Sequence, residues 1–188
     1  MSSLTDIPID QFDPRIFKLW SADWLLLTAG DLAGNRFNTM AVGWGGFGIM
    51  WTLPIAMVVV RPQRHTRSFL ESSEGFTLCA FPEAQRQAVA YCGAHSGRDV
   101  DKMSETGLTP LASTRVSAPG YAEADLWIEC RKIYFNDFDP ANFFDPRIAK
   151  NYPSKDYHRM YFGEVVAVRA VASSHQQGEP SGLNAACA

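Results

Sequence analysis

The sequence predicts a mainly β protein with peripheral helices, an antiparallel barrel carrying those helices on its outside. Two observations predict it. Six short segments rich in Val, Ile, Phe, Tyr or Trp recur along the chain, each bounded by Gly, Pro, Asp or Asn. Taken with the helical segments, their order is β-β-β-α-β-α, a long loop, then β-β, which lacks the regular alternation of a doubly wound sheet.

The elements follow in chain order. "DWLLLTA" (23–29), "FNTMAV" (37–42) and "IAMVVV" (55–60) read as three strands. "HTRSFLESS" (65–73) reads as a helix, and "FTLCAF" (76–81) as the next strand. "PEAQRQAVAYC" (82–92) reads as a helix with Pro82 at its first position, where a missing N–H is tolerated. "LWIECRKIYF" (126–135) and "YFGEVVAVRAV" (161–171) are the last strands, with "DPANFFDPRIAK" (139–150) between them as a short helix or two turns. The sequence predicts one domain over residues 1–171. The tail, 172–188, loses both periodicity and bulk, so its order is not predicted.

Composition narrows the function classes. A net charge of −3 over 188 residues argues against a nucleic-acid surface. The cysteines, Cys79, Cys92, Cys130 and Cys187, show no CxxC spacing, and two sit in apolar segments, as thiols do in a reducing compartment. The start "MSSLTDIPIDQF" carries acids where a signal peptide would be basic, and the longest apolar run, Leu53 to Val60, is too short to span a bilayer. The expectation is a soluble, cytoplasmic protein with no membrane partner. The four histidines, His65, His95, His158 and His175, are scattered, which offers no metal site, and no G-x-S-x-G supports a serine hydrolase.

The stretch "NTMAVGWGGFGIMW" (38–51) places four glycines within six positions, and Gly43, Gly45 and Gly48 satisfy G-x-G-x-x-G. A dinucleotide turn needs a helix next and an acid about 20 residues on. Here Pro54 and a β-branched run follow, and the distal segment is the basic "RPQRHTRS". The dinucleotide reading fails, and close approach of backbone to a flat ligand gives the glycines another reason.

Three further segments could carry chemistry. "RPQRHTRSF" (61–69) brings Arg61, Arg64 and Arg67 with Thr66 and Ser68 to a strand end that opens a helix, a suitable anion site. A solvated helix start with Thr66 or Ser68 as cap is the alternative, and the neighbouring glycines favour the phosphate. "SGRDVDKMSETGLTP" (96–110) flanks Lys102 with Asp99, Asp101 and Glu105, which by itself reads as an exposed helix with charge pairs. "YPSKDYHRMYFGE" (152–164) places His158 just before a strand, where a lone histidine is commonly a structural hydrogen bonder.

Together, N-T-M-x-x-G-W-G-x-x-G-x-x-W-x-x-P, V-R-P-x-R-x-T-x-x-F-L-E, C-G-x-x-S-G-R-D-x-D-K and D-Y-H-R-M-Y-x-G-E, in that order over residues 20–170, resemble the flavin reductase-like, FMN-binding split-barrel family, its flavoredoxin-like branch most of all. The resemblance implies a Greek-key split β-barrel, a homodimer, and one FMN per subunit near the dimer interface. It implies flavin contacts from Asn38, Thr39, Met40 and Trp44, with Gly43 and Gly45 letting backbone lie against the ring. Arg61, Arg64, Thr66 and Ser68 would hold the phosphate or ribityl end. Lys102 and His158 would flank the flavin from other segments or from the neighbouring subunit, Lys102 at the N1–O2 edge. His65 departs from the larger aromatic expected there. The implied activity is an NADH- or NADPH-dependent flavin oxidoreductase whose redox chemistry resides in the flavin. The alternatives are an electron-transfer flavoprotein reduced by a redox protein partner, and a non-enzymatic FMN-binding barrel.

Overall fold

The computed structural model describes residues 4–171, so the 172–188 tail lies outside the described residues. In chain order the elements are β1 (Leu4–Asp6), α1 (Ile16–Lys18), β2 (Leu25–Asp31), β3 (Arg36–Val42), β4 (Gly45–Met50), β5 (Leu53–Val60), α2 (His65–Ser72), β6 (Gly75–Ala80), α3 (Arg86–Ala94), α4 (Lys102–Thr106), β7 (Pro110–Leu111), β8 (Gly120–Tyr121), β9 (Leu126–Asp137) and β10 (Arg159–Val171). A π-helical turn, Leu19–Asp23, follows α1, and short 3-10 turns occupy Glu83–Gln85, Pro140–Asn142 and Ile148–Asn151. The 139–150 segment thus forms two turns, and Pro82 precedes a 3-10 turn instead of opening α3 itself. Among the described residues no helix is long and apolar enough to cross a membrane.

The main sheet runs β3-β2-β6-β9-β10-β5-β4, antiparallel throughout, with β1 added against β10. Its two ends, β3 and β4, do not pair, so the sheet is open and the barrel is split. β10 joins the halves. Its first six residues pair β5, its last three pair β1, and β9 runs along its length. Two register shifts, at Phe162/Gly163 and Val165/Ala167, let this long ribbon bend around the core.

The strands carry apolar residues on both faces because both faces are covered. Alternate residues of β2 show it: Leu25 and Leu27 enter a core with Val58, Phe76, Leu78, Ile128 and Val168, while Leu26 faces Ala88, Val89 and Cys92 of α3. Tyr121 and Trp127 complete the second layer. The buried carboxylate of Glu129 receives the backbone N–H groups of Thr114 and Arg115 and pairs with Arg169 at 2.9 Å, which fixes the loop before β8.

β4 was not among the expected strands, because three glycines in "GGFGIM" remove the β-branched signal. The turn after it lacks the usual Asn-Gly as well. Trp51 and Thr52 both adopt positive φ, 52° and 59°, in a two-residue hairpin.

A reason for glycine at positions 43 and 45 lies inside the protein. A Cβ on Gly45 would sit 2.4 Å from the Trp20 ring and 2.4 Å from the Met57 carbonyl, and one on Gly43 would sit 3.1 Å from the Trp20 carbonyl. Trp20, from the π-helical turn, plugs the core there and packs on Phe47. This packing is a reason for glycine at both positions beside the one the resemblance implies. A Cβ on Gly46 meets nothing within 4 Å. Gly45→Ala therefore loses about 1–3 kcal/mol of stability relative to Gly46→Ala, measured by urea denaturation. Equal midpoints for the two variants contradict the packing account.

Candidate functional site

The open side of the sheet holds a cleft of about 460 Å³, within the range of small-molecule sites. β3 supplies Asn38 and Met40, which share a face because they are two apart. The turn after β5 supplies Arg61 and Arg64, and α2 begins beside them with His65 and Thr66. The loop after α3 closes the far side through Gly97 and Arg98, and Lys102 reaches in from α4. A recess of about 170 Å³ continues past Met40, Arg61 and Arg64 to Gly43, Trp44 and His158.

The polar wiring of the floor is closed. Asn38 Nδ2 donates to the buried Thr66 Oγ1 at 2.8 Å, tying β3 to the first turn of α2. Gly97 lies so near Asn38 that a Cβ would sit 2.0 Å from Oδ1, so the loop approaches the floor only with glycine there. Among the described residues no side chain caps the N-terminus of α2, which leaves the N–H groups of His65 and Thr66 available to an anion, while that of Arg67 bonds the Arg64 carbonyl.

Lys102 belongs to this wiring. Asp101 caps α4 by accepting from the backbone N–H groups of Met103 and Ser104. Lys102 Nζ then turns inward and donates to the Thr39 carbonyl at 2.6 Å and the Cys92 carbonyl at 2.8 Å. The residue is 6% exposed, so the solvated-lysine alternative fails: Asp99, Asp101 and Glu105 face outward while Lys102 faces in. Burial is the main cause of its lowered pKa, assisted by Arg64 and opposed by Cys92. Two of its three N–H donors are committed to carbonyls.

The remaining cations surround the same space. Arg64 Nη1 donates to the Gly93 carbonyl at 2.7 Å near the end of α3. Arg98 Nη1 reaches the Gln63 carbonyl at 3.3 Å. Arg61 pairs with Asp156 at 2.5 Å, donates to the Asn151 carbonyl at 2.8 Å, and lies over the Tyr152 ring. With Lys102, four cations line the cleft against one carboxylate, Asp99, although the whole chain is acidic. His65 stands among them edge-on to Phe69, its buried Nδ1 without a hydrogen-bond partner among the described residues. Burial, Arg98 and Lys102 lower its pKa, and Asp99 opposes them. A cluster of cations, an uncapped helix start and an orphan imidazole nitrogen make an anion-receiving corner.

The other end is aromatic. Trp44 is 47% exposed, and its ring lies 5.1 Å from that of His158 at 40°. His158 is buried, and burial together with Arg61 lowers its pKa to about 4 against the opposing Asp156. It is a neutral imidazole near pH 7.

Most of the sequence-expected residues converge. Asn38, Met40, Arg61, Arg64, Thr66 and Lys102 line the main cleft, and Gly43, Trp44 and His158 line its extension. Lys102 and His158 do so from the same chain as Arg64. Thr39 takes part through its carbonyl, because its side chain points away to Thr28 Oγ1 at 3.0 Å. Ser68 and Gly45 are not among the residues lining either space. Ser68 Oγ bonds back to the His65 carbonyl at 2.9 Å, and Gly45 faces Trp20. Sequence reading missed Arg98, Gly97 and Tyr152 as individuals. All three lie in segments it had singled out, and only the fold shows which side chains turn inward.

A family model described as a flavin reductase-like domain matches residues 22–183. No curated protein matches the chain. Among solved structures, an FMN-binding domain of a flavin reductases-like enzyme from Shewanella baltica superposes with a TM-score of 0.66 at 20% identity, covering 90% of this chain and 78% of that one. Flavoredoxin of Desulfovibrio vulgaris (Miyazaki F) gives 0.63 at 23% identity, covering 82% and 73%. An NADH:FAD oxidoreductase of Streptomyces globisporus gives 0.58 at 16%, covering 79% and 75%. At such identities these likenesses establish the shared split-barrel fold.

The wiring at Lys102 generates a stability prediction. Lys102→Met strands two buried carbonyls, so it costs about 1–3 kcal/mol of unfolding free energy. Urea denaturation measures it, and an unchanged midpoint would return Lys102 to the surface.

Proposed function

The chain belongs to the flavin reductase-like family, and we propose that it is an FMN-dependent oxidoreductase passing electrons from NADH or NADPH to free flavin or another acceptor. One observation carries the reading: the cleft joins an anion-receiving corner at Arg64, Arg98, His65 and Thr66 to an aromatic wall at Trp44 and His158. A phosphate on a polar stem attached to a flat ring system fits that polarity, and the orphan Nδ1 of His65 offers a polar contact on the way. FMN, when bound, would supply the redox chemistry that links a nicotinamide donor to the acceptor.

The chain's residues supply position and electrostatics. Arg64 keeps donors on its guanidinium beyond the one bound to Gly93, and these would hold the phosphate with the first N–H groups of α2. Met40 and Trp44 would bound the ring. Lys102 would place a fixed positive charge behind β3, which favours the more negative form of whatever lies in the cleft. Neutral His158 would donate or accept a hydrogen bond without adding charge.

Anaerobic spectra test the reading. The purified protein, reconstituted with FMN, is expected to lose its visible flavin absorbance on addition of NADH or NADPH. Bound FMN that bleaches only with a reduced protein partner points to the electron-transfer alternative, and failure to bind FMN overturns the site. Arg64→Glu should weaken FMN about 10- to 100-fold more than riboflavin, which lacks the phosphate, by loss of a charge-assisted bond. Titration with both ligands separates this from a general loss of structure, which would weaken both equally.

The same proposal includes a homodimer. Among the described residues β4 is a free sheet edge, and around it Ile49, Met50 and Trp51 are 75%, 40% and 55% exposed, with Tyr134 and Phe162 packed on Trp51. An unpaired edge with an apolar rim is suited to self-association, since it leaves both backbone groups and apolar area uncovered. Sedimentation at micromolar concentration should give a dimer, and Ile49→Lys should raise its dissociation constant at least about tenfold, roughly 1.4 kcal/mol. A monomeric wild type overturns the dimer and leaves the cofactor reading standing.

A further inference from the structure

Tyr152 and His158 are both buried, 5% and 7% exposed, and close the connection between β9 and β10. Tyr152 Oη lies 2.8 Å from His158 Nδ1. A neutral imidazole has one N–H and one bare nitrogen, and the partner of one decides the state of the other. Nδ1 is the one side-chain hydrogen-bond partner of that hydroxyl among the described residues, so the hydroxyl hydrogen has no other side-chain acceptor within reach.

We propose that Tyr152 is a positioning residue that locks His158 in the tautomer with its proton on Nε2, presenting a fixed N–H donor to an acceptor atom of the molecule bound beside Trp44. The geometry supports it from three sides. The Tyr152 ring is held under the Arg61 guanidinium at 5.1 Å and stacked on Phe143 at 6.0 Å and 10°, so the hydroxyl cannot swing away from Nδ1 without disturbing both. His158 is itself wedged between Tyr152 and Trp44, and it lines the recess with Met40 and Gly43. Burial raises the Tyr152 pKa and lowers that of His158 to about 4, which keeps the phenol protonated and the imidazole neutral.

A donor in this place selects its ligand. A carbonyl oxygen or a bare ring nitrogen satisfies Nε2–H, whereas an N–H or a cation leaves it unpaired in a buried site. The nature of that acceptor as a flavin or nicotinamide group rests on the proposed function, while the tautomer does not.

The test uses the ligand-free protein, so a failed flavin reading leaves it intact. Long-range proton–nitrogen correlation on uniformly 15N-labelled wild type at pH 7 reads the tautomer of each histidine ring, and the His158→Gln spectrum assigns the signals by loss. The expected result is a protonated Nε2 and a bare Nδ1, with a slowly exchanging tyrosine hydroxyl proton showing a cross-peak to the His158 ring. In Tyr152→Phe the Nδ1 resonance is expected to move toward the tautomer-averaged position. A protonated Nδ1 in wild type overturns the proposal, as does an unchanged Nδ1 resonance in folded Tyr152→Phe. Should that variant not fold, absence of the hydroxyl cross-peak in wild type removes Tyr152 as the donor.

Discussion

The cleft depends on a buried ammonium that joins β3, α3 and the start of α4. Lys102 Nζ bonds the Thr39 carbonyl of β3 and the Cys92 carbonyl of α3 from its own place at the start of α4. A charge without water needs such partners, since leaving it unpaired costs several kcal/mol. The two carbonyls fix where α4 stands, and α4 fixes the loop of Gly97 and Arg98 above Asn38. The side chains around the ligand space inherit their positions from that arrangement.

Around this anchor the protein separates its charges. The cations of the cleft are each held by a carbonyl or carboxylate that leaves part of the donor set unspent: Arg64 by Gly93, Arg98 by Gln63, Arg61 by Asp156 and Asn151. Tethering limits the side-chain entropy that an arginine loses on meeting an anion. Asp156, which also accepts from Gln63 at 2.8 Å, keeps the positive field of Arg61 from acting alone on His158. The result is a positive corner and a neutral aromatic wall within one continuous space.

How much of this was legible in the sequence varies with the kind of signal. The six expected strands are all present, because β-branched and aromatic runs between turn residues are a local signal that packing then rewards. β4 was not legible, since its three glycines erase the strand signal and the one at position 45 answers to Trp20, a contact set by a turn more than 20 residues upstream. Lys102 misled by composition alone: three acids within three residues suggest solvent, yet in the helix capped by Asp101 the lysine is buried while the acids are exposed. Its inclusion among the site residues came from the family resemblance. Tyr152 was invisible as a functional residue, because its role depends on one hydroxyl hydrogen whose direction no sequence pattern encodes.

The double pairing of β10 bears on how the chain assembles. β3, β5 and α2 carry the cleft, and all precede residue 75, yet β5 is joined to β6 and β2 only through β10 and β9. Until residues 159–171 have left the ribosome, β5 and β4 form a lone hairpin with an apolar flank and no sheet to lean on. Long-range pairing of this kind slows folding and prolongs exposure of sticky edges. The strand that completes the fold thus determines when the site first exists, and a growing chain halted before residue 159 would hold every cation of the cleft with β5 still unattached to the rest of the sheet.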